Sequence, residues 1–404
     1  MKEIRVKYLI LGAGPAGLAF AATLSKLSET SFVILEKNCE AGGLCRSAEC
    51  DGAALDIGGG HFLDVRKKNV LDFIFSFMPQ EEWKFYKRNT KIVVGKHTIG
   101  YPFEASIWQL PFEEQVGYLE SIAKASFLRR EEKPERFMDW IRWKLGDKIA
   151  ENYMIPYNQK IWSCDLNELG TYWLEKLPDV SFSETLASCL KRAPYGSIPA
   201  HAEFYYPQKA GYGEVFLRIA ESLKEHIRYD CRVNKLDCDD NTINDAFTGE
   251  YVINTIPWHE FASSAGLNEL TDHLKYTSVD IDYYSQDSDI DAHWTYYADP
   301  VLTYHRKVHR DHIIEGAKGF WTETNSTRRK EIGDAHFENQ YAYPLNTLEK
   351  PKIIGALLEK MKKRNVYGLG RWGEWEHLNS DVVIEHGMTL AHELVEWRAQ
   401  KSTV

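Results

Sequence analysis

The feature that most constrains this chain is an apolar segment near its start that runs directly into a glycine-rich turn. The segment Tyr8–Leu11 is followed by Gly12–Gly17, where the glycines have the spacing G-x-G-x-x-G, and then by the largely apolar run Leu18–Leu24. Pro15 suits the first turn of a helix, where its missing N–H is not needed. This order of strand, turn and helix predicts a Rossmann-type βαβ unit whose backbone N–H groups face a pyrophosphate, rather than a purely structural turn.

An acidic residue at the end of the second predicted strand narrows the choice of dinucleotide. The apolar run Phe32–Leu35 ends at Glu36, which Lys37 follows. A carboxylate at this position accepts hydrogen bonds from the hydroxyls of a ribose and repels a 2'-phosphate, so Glu36 favours FAD or NAD over NADP. The alternative is a solvated acidic turn residue.

A second glycine-rich loop discriminates between these two cofactors. The run Gly42–Ser47 opens with two glycines that let the loop lie along an extended dinucleotide, and its Arg46 can reach the phosphates or the flavin edge. The segment Asp56–Phe62 follows, with three glycines before His61. Both segments resemble flavoproteins of the amine oxidase and protoporphyrinogen oxidase superfamily. The resemblance implies FAD as the cofactor and a place for His61 beside the flavin; the alternative is a structural histidine.

Composition excludes some classes of function. The net charge of -10 argues against a general nucleic-acid binder, which needs clustered Lys and Arg. Seven scattered cysteines without a C-x-x-C pair predict reduced thiols in a cytoplasmic protein. The chain enters its first strand within a few residues, and no apolar run approaches the roughly 20 residues of a membrane span. We therefore expect neither a cleavable signal peptide nor a membrane span.

The chain is predicted to consist of interleaved regions of an α/β fold. These are a discontinuous Rossmann-type FAD-binding domain at 1–65, 200–270 and 350–404, a mainly helical insert at 66–199, and an antiparallel β-sheet region for substrate at 271–349. Strand-like segments at 227–233 and 251–256 are predicted to return to the first sheet. The helical insert follows from apolar residues at every third or fourth position, as in Phe137–Leu145. The sheet follows from alternating aromatic and polar side chains, as in Ala292–Tyr297.

Four further motifs occur in the order found in UDP-galactopyranose mutases, and the matches span nearly the whole chain. Tyr157–Leu169 keeps the spacing of that family's Trp-Gly-x-Asp-Pro-x-Glu-Leu stretch. Leu302–Val308, with Trp321–Thr324, resembles its Pro-Tyr-Thr-Arg-Ile element and the strand that carries Arg-Glu-Tyr-Pro. Tyr341–Asn346 is similar to Tyr-Tyr-Pro-Val-Asn, and Gly370–Asp381 is similar to Gly-Arg-Leu-Gly-x-Tyr-x-Tyr-Leu-Asp-Met-Asp. The motifs thus indicate the mutase-like branch of the superfamily.

This resemblance implies a UDP-sugar bound beneath reduced FAD. It places Arg306 and Arg371 on the diphosphate, Tyr343 on a phosphate and Trp162 in the nucleotide-sugar pocket, although each can instead be structural. The planar paired donors of arginine suit phosphate oxygens. The resemblance further implies that N5 of the reduced flavin, not a side chain, attacks the anomeric carbon as UDP leaves, with His61, Arg306 and Arg371 in support.

Three residues depart from the family pattern. Lys176 stands where the family has a third arginine, which keeps the charge but loses the bidentate geometry. His377 and Asn379 stand where the family has a tyrosine and an aspartate beside the flavin. The resemblance therefore does not fix which sugar is bound.

The predicted site is drawn from all these segments. The predicted cofactor-binding residues are Gly12, Gly14, Pro15, Ala16, Gly17, Glu36, Lys37, Gly43, Leu44, Arg46, Gly59, Gly60, His61, Gly370, Arg371 and Asn379. The predicted substrate-binding residues are Trp162, Lys176, Arg306, Tyr343, Arg371 and His377. The sequence predicts no metal site and no Ser/His/Asp arrangement.

The favoured function is an FAD-dependent nucleotide-sugar mutase of the UDP-galactopyranose mutase type, acting in surface polysaccharide or lipopolysaccharide synthesis. The expected partners are a UDP-linked sugar as substrate and a second copy of the chain in a homodimer. Two alternatives stay open: an FAD-dependent oxidoreductase of the amine oxidase or protoporphyrinogen oxidase type, and a flavin-bearing scaffold without chemistry.

Overall fold

The computed structural model describes residues 3–129, 132–174, 180–196, 201–330 and 332–401, with side chains as far as 397. Lys176, a predicted substrate-binding residue, lies outside the described residues.

Strands and a few helices make up the first 100 residues, helices dominate from 112 to 191, and strands dominate the later middle part of the chain. The strands are β1 (Ile4–Leu11), β2 (Phe32–Leu35), β3 (Ser47–Cys50), β4 (Ala53–Asp56), β5 (Leu63–Asp64), β6 (Trp83–Lys87), β7 (Thr90–Val94), β8 (His97–Gly100), β9 (Glu203–Pro207), β10 (Ile227–Arg228), β11 (Leu236–Asp237), β12 (Thr242–Ile243), β13 (Phe247–Asn254), β14 (Tyr276–Tyr284), β15 (Trp294–Tyr297), β16 (Arg306–His309), β17 (Phe320–Asn325), β18 (Ala335–Pro344) and β19 (Val366–Gly368). The helices are α1 (Pro15–Lys26), α2 (Lys68–Phe75), α3 (Phe112–Leu128), α4 (Phe137–Ile149), α5 (Ile155–Trp162), α6 (Phe182–Lys191), α7 (Glu214–Ser222), α8 (Asn268–Thr271), α9 (Lys350–Lys362), α10 (Gly370–Gly373) and α11 (Ser380–Lys401).

The first sheet is the predicted nucleotide-binding sheet. Its order is β10-β2-β1-β13-β12-β11, with β19 also paired to β13, and β1 lies parallel to both β2 and β13. Successive residues of β1 enter two different cores: Tyr8 and Ile10 pack with α1 and α7, whereas Leu9 and Leu11 pack with α9. A strand covered on both faces needs apolar residues throughout, which is why this segment reads as one apolar run.

The pairing of β13 with β1 confirms the predicted return of 251–256 to the first sheet. The segment predicted at 227–233 also joins this sheet, but only as the two-residue strand β10.

The second sheet has the order β18-β14-β17-β16-β15-β7-β8 and is antiparallel except for the pair of β15 with β7. The predicted antiparallel sheet is thus confirmed, and with it the α/β fold class. Strands β6, β7 and β8 come from the stretch predicted to be mainly helical, and the sequence patterns do not indicate them. β7 is stabilised by its pairing with the distant β15, which a local pattern does not reveal. The boundaries of the three regions stay predictions.

Helices α3 to α6 and the neighbouring turns form a layer with its own apolar core. This core contains Tyr118, Phe137, Ile141 and Trp162. α4 is broken at Gly146, whose φ is 74°, and the chain then passes through a wide helical turn into α5. The end of α5 carries Trp162 against β18.

Over the described ranges, no helix combines the length and apolar character needed to cross a membrane. All seven cysteines are unpaired. Among the same described residues, no group of three or more His, Cys, Asp or Glu side chains is arranged to hold a metal ion.

Candidate functional site

A cleft of ≈ 350 Å³ opens at the carboxyl ends of β1, β2 and β13, between the two sheets. Ligands of open α/β sheets bind at this edge. The predicted cofactor residues that line the cleft are Gly12, Gly14, Pro15, Ala16, Glu36, Lys37, Gly43, Leu44, Arg46, His61 and Arg371. The structure therefore brings most of the predicted cofactor residues together.

The wall of the cleft at the start of α1 is made of bare backbone. No side chain caps this end of α1, and its first turn holds no acidic residue. Gly14 and Gly43 face each other so closely that a Cβ on Gly43 would lie 3.2 Å from the Cα of Gly14. The N–H groups at the start of α1 are uncapped, and they lie beside a gap that any side chain larger than glycine would fill. Such a gap suits a pyrophosphate, so this part of the cleft fits a dinucleotide.

Glu36 lies at the end of β2 with its carboxylate already anchored. One oxygen accepts a hydrogen bond from the N–H of Ala13 at 2.8 Å, and the other accepts one from the N–H of Asn38 at 2.9 Å. Each carboxylate oxygen has a further lone pair, so the anchored group can still accept a ribose hydroxyl.

Arg46 lines the cleft but folds back on its own loop. Its Nε donates to the carbonyl of Gly43 at 3.0 Å, and Glu40 lies 3.8 Å from its Nη1. Arg46 thus closes the Gly42–Ser47 loop and presents a positive charge beside the predicted phosphates.

A second, smaller cavity of ≈ 160 Å³ lies next to the cleft and shares His61, Arg371 and Ser380 with it. Predicted residues on its wall are Gly59, Gly60, His61, Arg306, Tyr343, Arg371, His377 and Asn379. The wall also contains Arg88, His201, Trp294 and Tyr296, which the sequence does not predict. Residues predicted for cofactor and for substrate therefore meet in one place.

Arg306 is held in this cavity by a buried carboxylate. Its Nε and Nη2 donate to the two oxygens of Glu323 at 2.8 and 2.7 Å. Burial alone would lower the pKa of Arg306, but the charge of Glu323 raises it above its usual value. The pair fixes the plane of the guanidinium and largely neutralises its charge.

Glu323 also holds the Gly58–Gly60 loop. Its Oε1 accepts the N–H of Gly60 at 2.9 Å, and Asn339 on β18 donates to the carbonyl of Ile57 at 2.8 Å. One buried carboxylate thus sets the positions of both Arg306 and the loop that carries His61.

Arg371 is the residue common to both spaces. Its nitrogens donate to the carbonyls of Leu378 at 2.8 and 3.2 Å and of Ala342 at 3.0 Å, and its guanidinium lies 5.3 Å from the ring centroid of Tyr343. Within the described part of the chain no carboxylate lies at ion-pair distance from Arg371, and burial lowers its pKa. A partly buried cation without a carboxylate counter-ion favours an anionic ligand.

His61 faces both spaces as a neutral imidazole. Its Nδ1 lies 2.9 Å from the carbonyl of Gly59, which assigns the proton to Nδ1 and leaves Nε2 as an acceptor. Burial and the nearby charge of Arg371 lower the pKa of His61 to about 3. His61 is therefore uncharged at neutral pH.

Three predicted residues lie behind the walls. Gly17 packs so tightly that a Cβ there would come within 2.1 Å of the carbonyl oxygen of Gly12, and a Cβ on Gly370 would lie 2.6 Å from that of Ala16. Trp162 lies behind Tyr343 and His377, with ring centroids 5.9 and 6.0 Å away.

The indole N–H of Trp162 donates to Asn158 at 2.9 Å, and its side chain belongs to the core of the helical layer. The geometry therefore gives Trp162 a supporting position behind the substrate side of the site.

Besides His201, Trp294 and Tyr296, the sequence analysis misses Arg88 and the two polar residues that hold the glycine loop, Glu323 and Asn339. The strand pairing Arg306↔Glu323 is the signal that could have found Glu323, because it sets the two side chains opposite each other. No local pattern marks Arg88 or Asn339.

Comparisons with known proteins agree with this geometry. A family model described as an NAD(P)-binding Rossmann-like domain matches residues 10–76. The structure is similar to that of reduced UDP-galactopyranose mutase over 97% of this chain and 94% of that chain, with a TM-score of 0.88 at 21% identity.

The fold is also similar to two amine oxidases. Wild-type putrescine oxidase bound to putrescine matches 97% of this chain and 99% of that chain, with a TM-score of 0.65 at 14% identity. Cyclohexylamine oxidase from Brevibacterium oxydans matches 98% of this chain and 99% of that chain, with a TM-score of 0.68 at 11% identity. The resemblance predicted from the motifs is therefore confirmed for the fold.

Proposed function

We propose that this protein is an FAD-dependent nucleotide-sugar mutase that interconverts ring forms of a UDP-linked sugar. It would serve surface polysaccharide synthesis in the cytoplasm. The observation that carries the proposal is Arg371, a partly buried cation without a carboxylate partner among the described residues, placed where the dinucleotide cleft meets the smaller cavity. A diphosphate supplies the negative charge that this position lacks.

FAD is the proposed cofactor, held by the bare turn before α1, by Glu36 at the ribose and by the loop that ends at Arg46. When bound and reduced, it supplies the nucleophile for the anomeric carbon. The chain's own residues would bind and orient the sugar nucleotide.

Arg371 and Arg306 would bind the diphosphate and stabilise the charge that grows on it as the bond to the sugar breaks. Arg371 offers uncompensated charge, whereas Arg306 offers a guanidinium fixed by Glu323. The phenol of Tyr343, whose pKa burial raises, stays protonated and adds a neutral donor. Neutral His61 would keep an acceptor beside a sugar hydroxyl.

An oxidoreductase acting on amines is the second candidate, supported by the similarity to putrescine and cyclohexylamine oxidases. The charge of the smaller cavity disfavours it. A protonated amine would meet the unneutralised Arg371, and like charges at short range repel. A neutral reduced ring substrate avoids this repulsion and stays within this alternative.

The decisive experiment first identifies the flavin released by denaturing the purified protein. The reduced holoprotein is then incubated with UDP-galactose, and the ring form of the sugar is followed by chromatography; UDP and UDP-galactose are also tested for thermal stabilisation. We expect FAD, binding of both ligands, and interconversion only with reduced flavin. Anaerobic bleaching of the flavin by an amine would instead support the oxidase, and colourless protein that FAD does not reconstitute would refute both.

A variant pair tests the proposed anion site. Arg371→Lys should weaken UDP binding about tenfold or more, because lysine loses the planar fork. Arg228→Lys is the matched control, since among the described residues Arg228 also donates only to backbone carbonyls, of Glu225 and Ile227, but lines neither space. Equal UDP affinity in the two variants would contradict the proposal.

A further inference from the structure

Arg88 is a third arginine on the wall of the smaller cavity, and the proposed function does not use it. It immediately precedes Asn89 and the start of β7, and it shares the wall with Arg306 and Arg371. Arg371 also lines the dinucleotide cleft, but Arg88 does not. Arg88 therefore belongs to the part of the cavity that the cofactor cleft does not share.

Surrounding residues fix the orientation of the Arg88 guanidinium. Its Cζ lies 4.0 Å from the ring centroid of Tyr101 and 4.9 Å from that of Trp294. Its Nε donates to Thr90 at 2.9 Å, and its Nη2 lies 3.4 Å from the hydroxyl of Tyr296. A planar cation held between two aromatic rings loses little freedom when it binds a ligand.

The neighbours of Arg88 have the chemistry of a sugar site. Trp294 and Tyr296 lie on β15 and both line the cavity, and the indole N–H of Trp294 donates to the hydroxyl of Tyr296 at 2.9 Å. Aromatic faces accept the apolar face of a sugar ring, and charged planar donors bind its hydroxyl oxygens. His201 on the same wall is uncharged at neutral pH, because burial lowers its pKa to about 4.

We infer that Arg88, with Trp294 and Tyr296, forms the subsite for the sugar and selects a hexose whose hydroxyls accept hydrogen bonds from its guanidinium. The inference rests on the proposed function, because it requires the diphosphate of the same ligand to lie on Arg371. The structural alternative is that Arg88 only ties the start of β7 to β15.

The test compares UDP with UDP-galactose on the reduced holoprotein by titration calorimetry. Arg88→Lys keeps the positive charge but loses the planar fork, so we expect about tenfold weaker binding of UDP-galactose and UDP affinity within about twofold. Arg129→Lys is the matched control: the Cζ of Arg129 lies 4.5 Å from the ring centroid of Trp143, and Arg129 lines neither space. The control should change neither affinity.

Tyr296→Phe provides a second variant should Arg88→Lys fail to fold, since it removes the hydroxyl that lies beside Arg88 and accepts the indole N–H of Trp294. It should give the same selective loss to a smaller extent. Equal effects on UDP and UDP-galactose, or no effect on either, would overturn the inference. A changed absorption spectrum of the bound flavin in Arg88→Lys would also overturn it, because Arg88 would then contact the cofactor.

These outcomes separate the two proposals. A wild-type protein that binds neither UDP nor UDP-galactose would refute the proposed function and the sugar subsite together. A wild-type protein that binds and converts UDP-galactose, paired with an unaltered Arg88→Lys variant, would refute the subsite alone.

Discussion

The dinucleotide cleft and the smaller cavity are adjacent, but they are built from different parts of the chain. The cleft is bounded mainly by backbone turns at the ends of β1 and β2, with Gly14 and Gly43 face to face. The cavity is bounded by side chains from β15, β16 and β18, held by partners such as Glu323. The proposed cofactor site therefore depends on local chain conformation, whereas the proposed substrate site depends on how distant strands are aligned.

The largest effect on cofactor binding that tests this contrast is expected at Gly14. A Cβ on this residue would lie 3.9 Å from the Cα of Gly43, which is an ordinary van der Waals contact, and its φ of -79° suits any residue, so the backbone here accommodates a side chain. The added methyl groups fill the gap proposed for the pyrophosphate. Gly14→Val should lower FAD affinity at least about 100-fold, equivalent to about 3 kcal/mol, and Gly14→Ala less. Flavin absorbance after reconstitution measures the change.

Gly266→Ala is the control for the Gly14 variants. Gly266 has a φ of +64° with open space around its Cβ position, and it lies outside the cleft. Strain should cost about 1 kcal/mol of stability there without loss of FAD. Full FAD binding by Gly14→Val would show that the backbone does not form the pyrophosphate site.

The second effect is on folding stability, and it tests the smaller cavity, whose wall consists mainly of side chains. Glu323→Ala removes the only carboxylate at ion-pair distance from Arg306 among the described residues and an acceptor of the Gly60 N–H. Breaking a buried pair on one side costs about 3–5 kcal/mol, and urea unfolding should show a loss of this size. Glu323→Gln keeps the shape and should cost less.

Glu82→Ala is the matched control for Glu323→Ala. Glu82 also binds an arginine, Arg218, through both oxygens, but their side chains are 42% and 34% exposed. Glu82→Ala should lower the free energy of unfolding by no more than about 1 kcal/mol, because this pair is exposed to solvent. Similar costs for the two alanine variants would mean that the buried pair does not organise the cavity.

The smallest effect concerns the turn that carries Arg371. Glu374 accepts the N–H of Gly370 at 2.8 Å, and both its oxygens lie 2.9 Å from His386 on α11. The hydrogen bond to Glu374 raises the pKa of His386. A raised pKa in the folded state stabilises the protein below the unfolded value of about 6.5, and this stabilisation is lost as the pH rises through the folded pKa.

His386→Gln should therefore lower Tm at pH 5.5 and leave it nearly unchanged at pH 8.5. The difference in stability should not exceed about 1 kcal/mol, since His386 is 39% exposed. Thermal unfolding across this pH range measures it. A loss of Tm in His386→Gln that is larger at alkaline pH than at acidic pH would contradict the stabilising role of the bond between His386 and Glu374.

The same contrast explains how far the sequence could predict the structure. Gly12, Gly14 and Glu36 act within a single βαβ unit, so their spacing in the chain predicts their place in the cleft. Glu323 meets Gly60 only because two sheets face each other, and Arg88 meets Tyr296 only because β7 pairs with β15. Such contacts depend on register and packing, which residue types in one segment do not encode.

Trp162 shows the same limit within a motif that the sequence did indicate. Its spacing to the following acidic residues marks the segment, but the depth of its side chain depends on how α5 packs. The apolar core of the helical layer and the amide of Asn158 hold the indole, while Tyr343 and His377 form the cavity wall. The motif thus indicated a segment close to the cavity, but it did not indicate that Trp162 lies behind the cavity wall instead of on it.

β1 and its neighbour β13 pair in the sheet although they are far apart in the sequence, and this separation has a consequence for biosynthesis. Ile4 pairs with Phe247, and α1 packs against α11 at the far end of the described chain. During translation, the first strand therefore emerges with one edge unpaired and one face of its helix uncovered until distant segments follow. Unpaired edges and apolar faces promote aggregation of nascent chains. A ribosome-associated chaperone that shields these early segments should thus raise the yield of native protein.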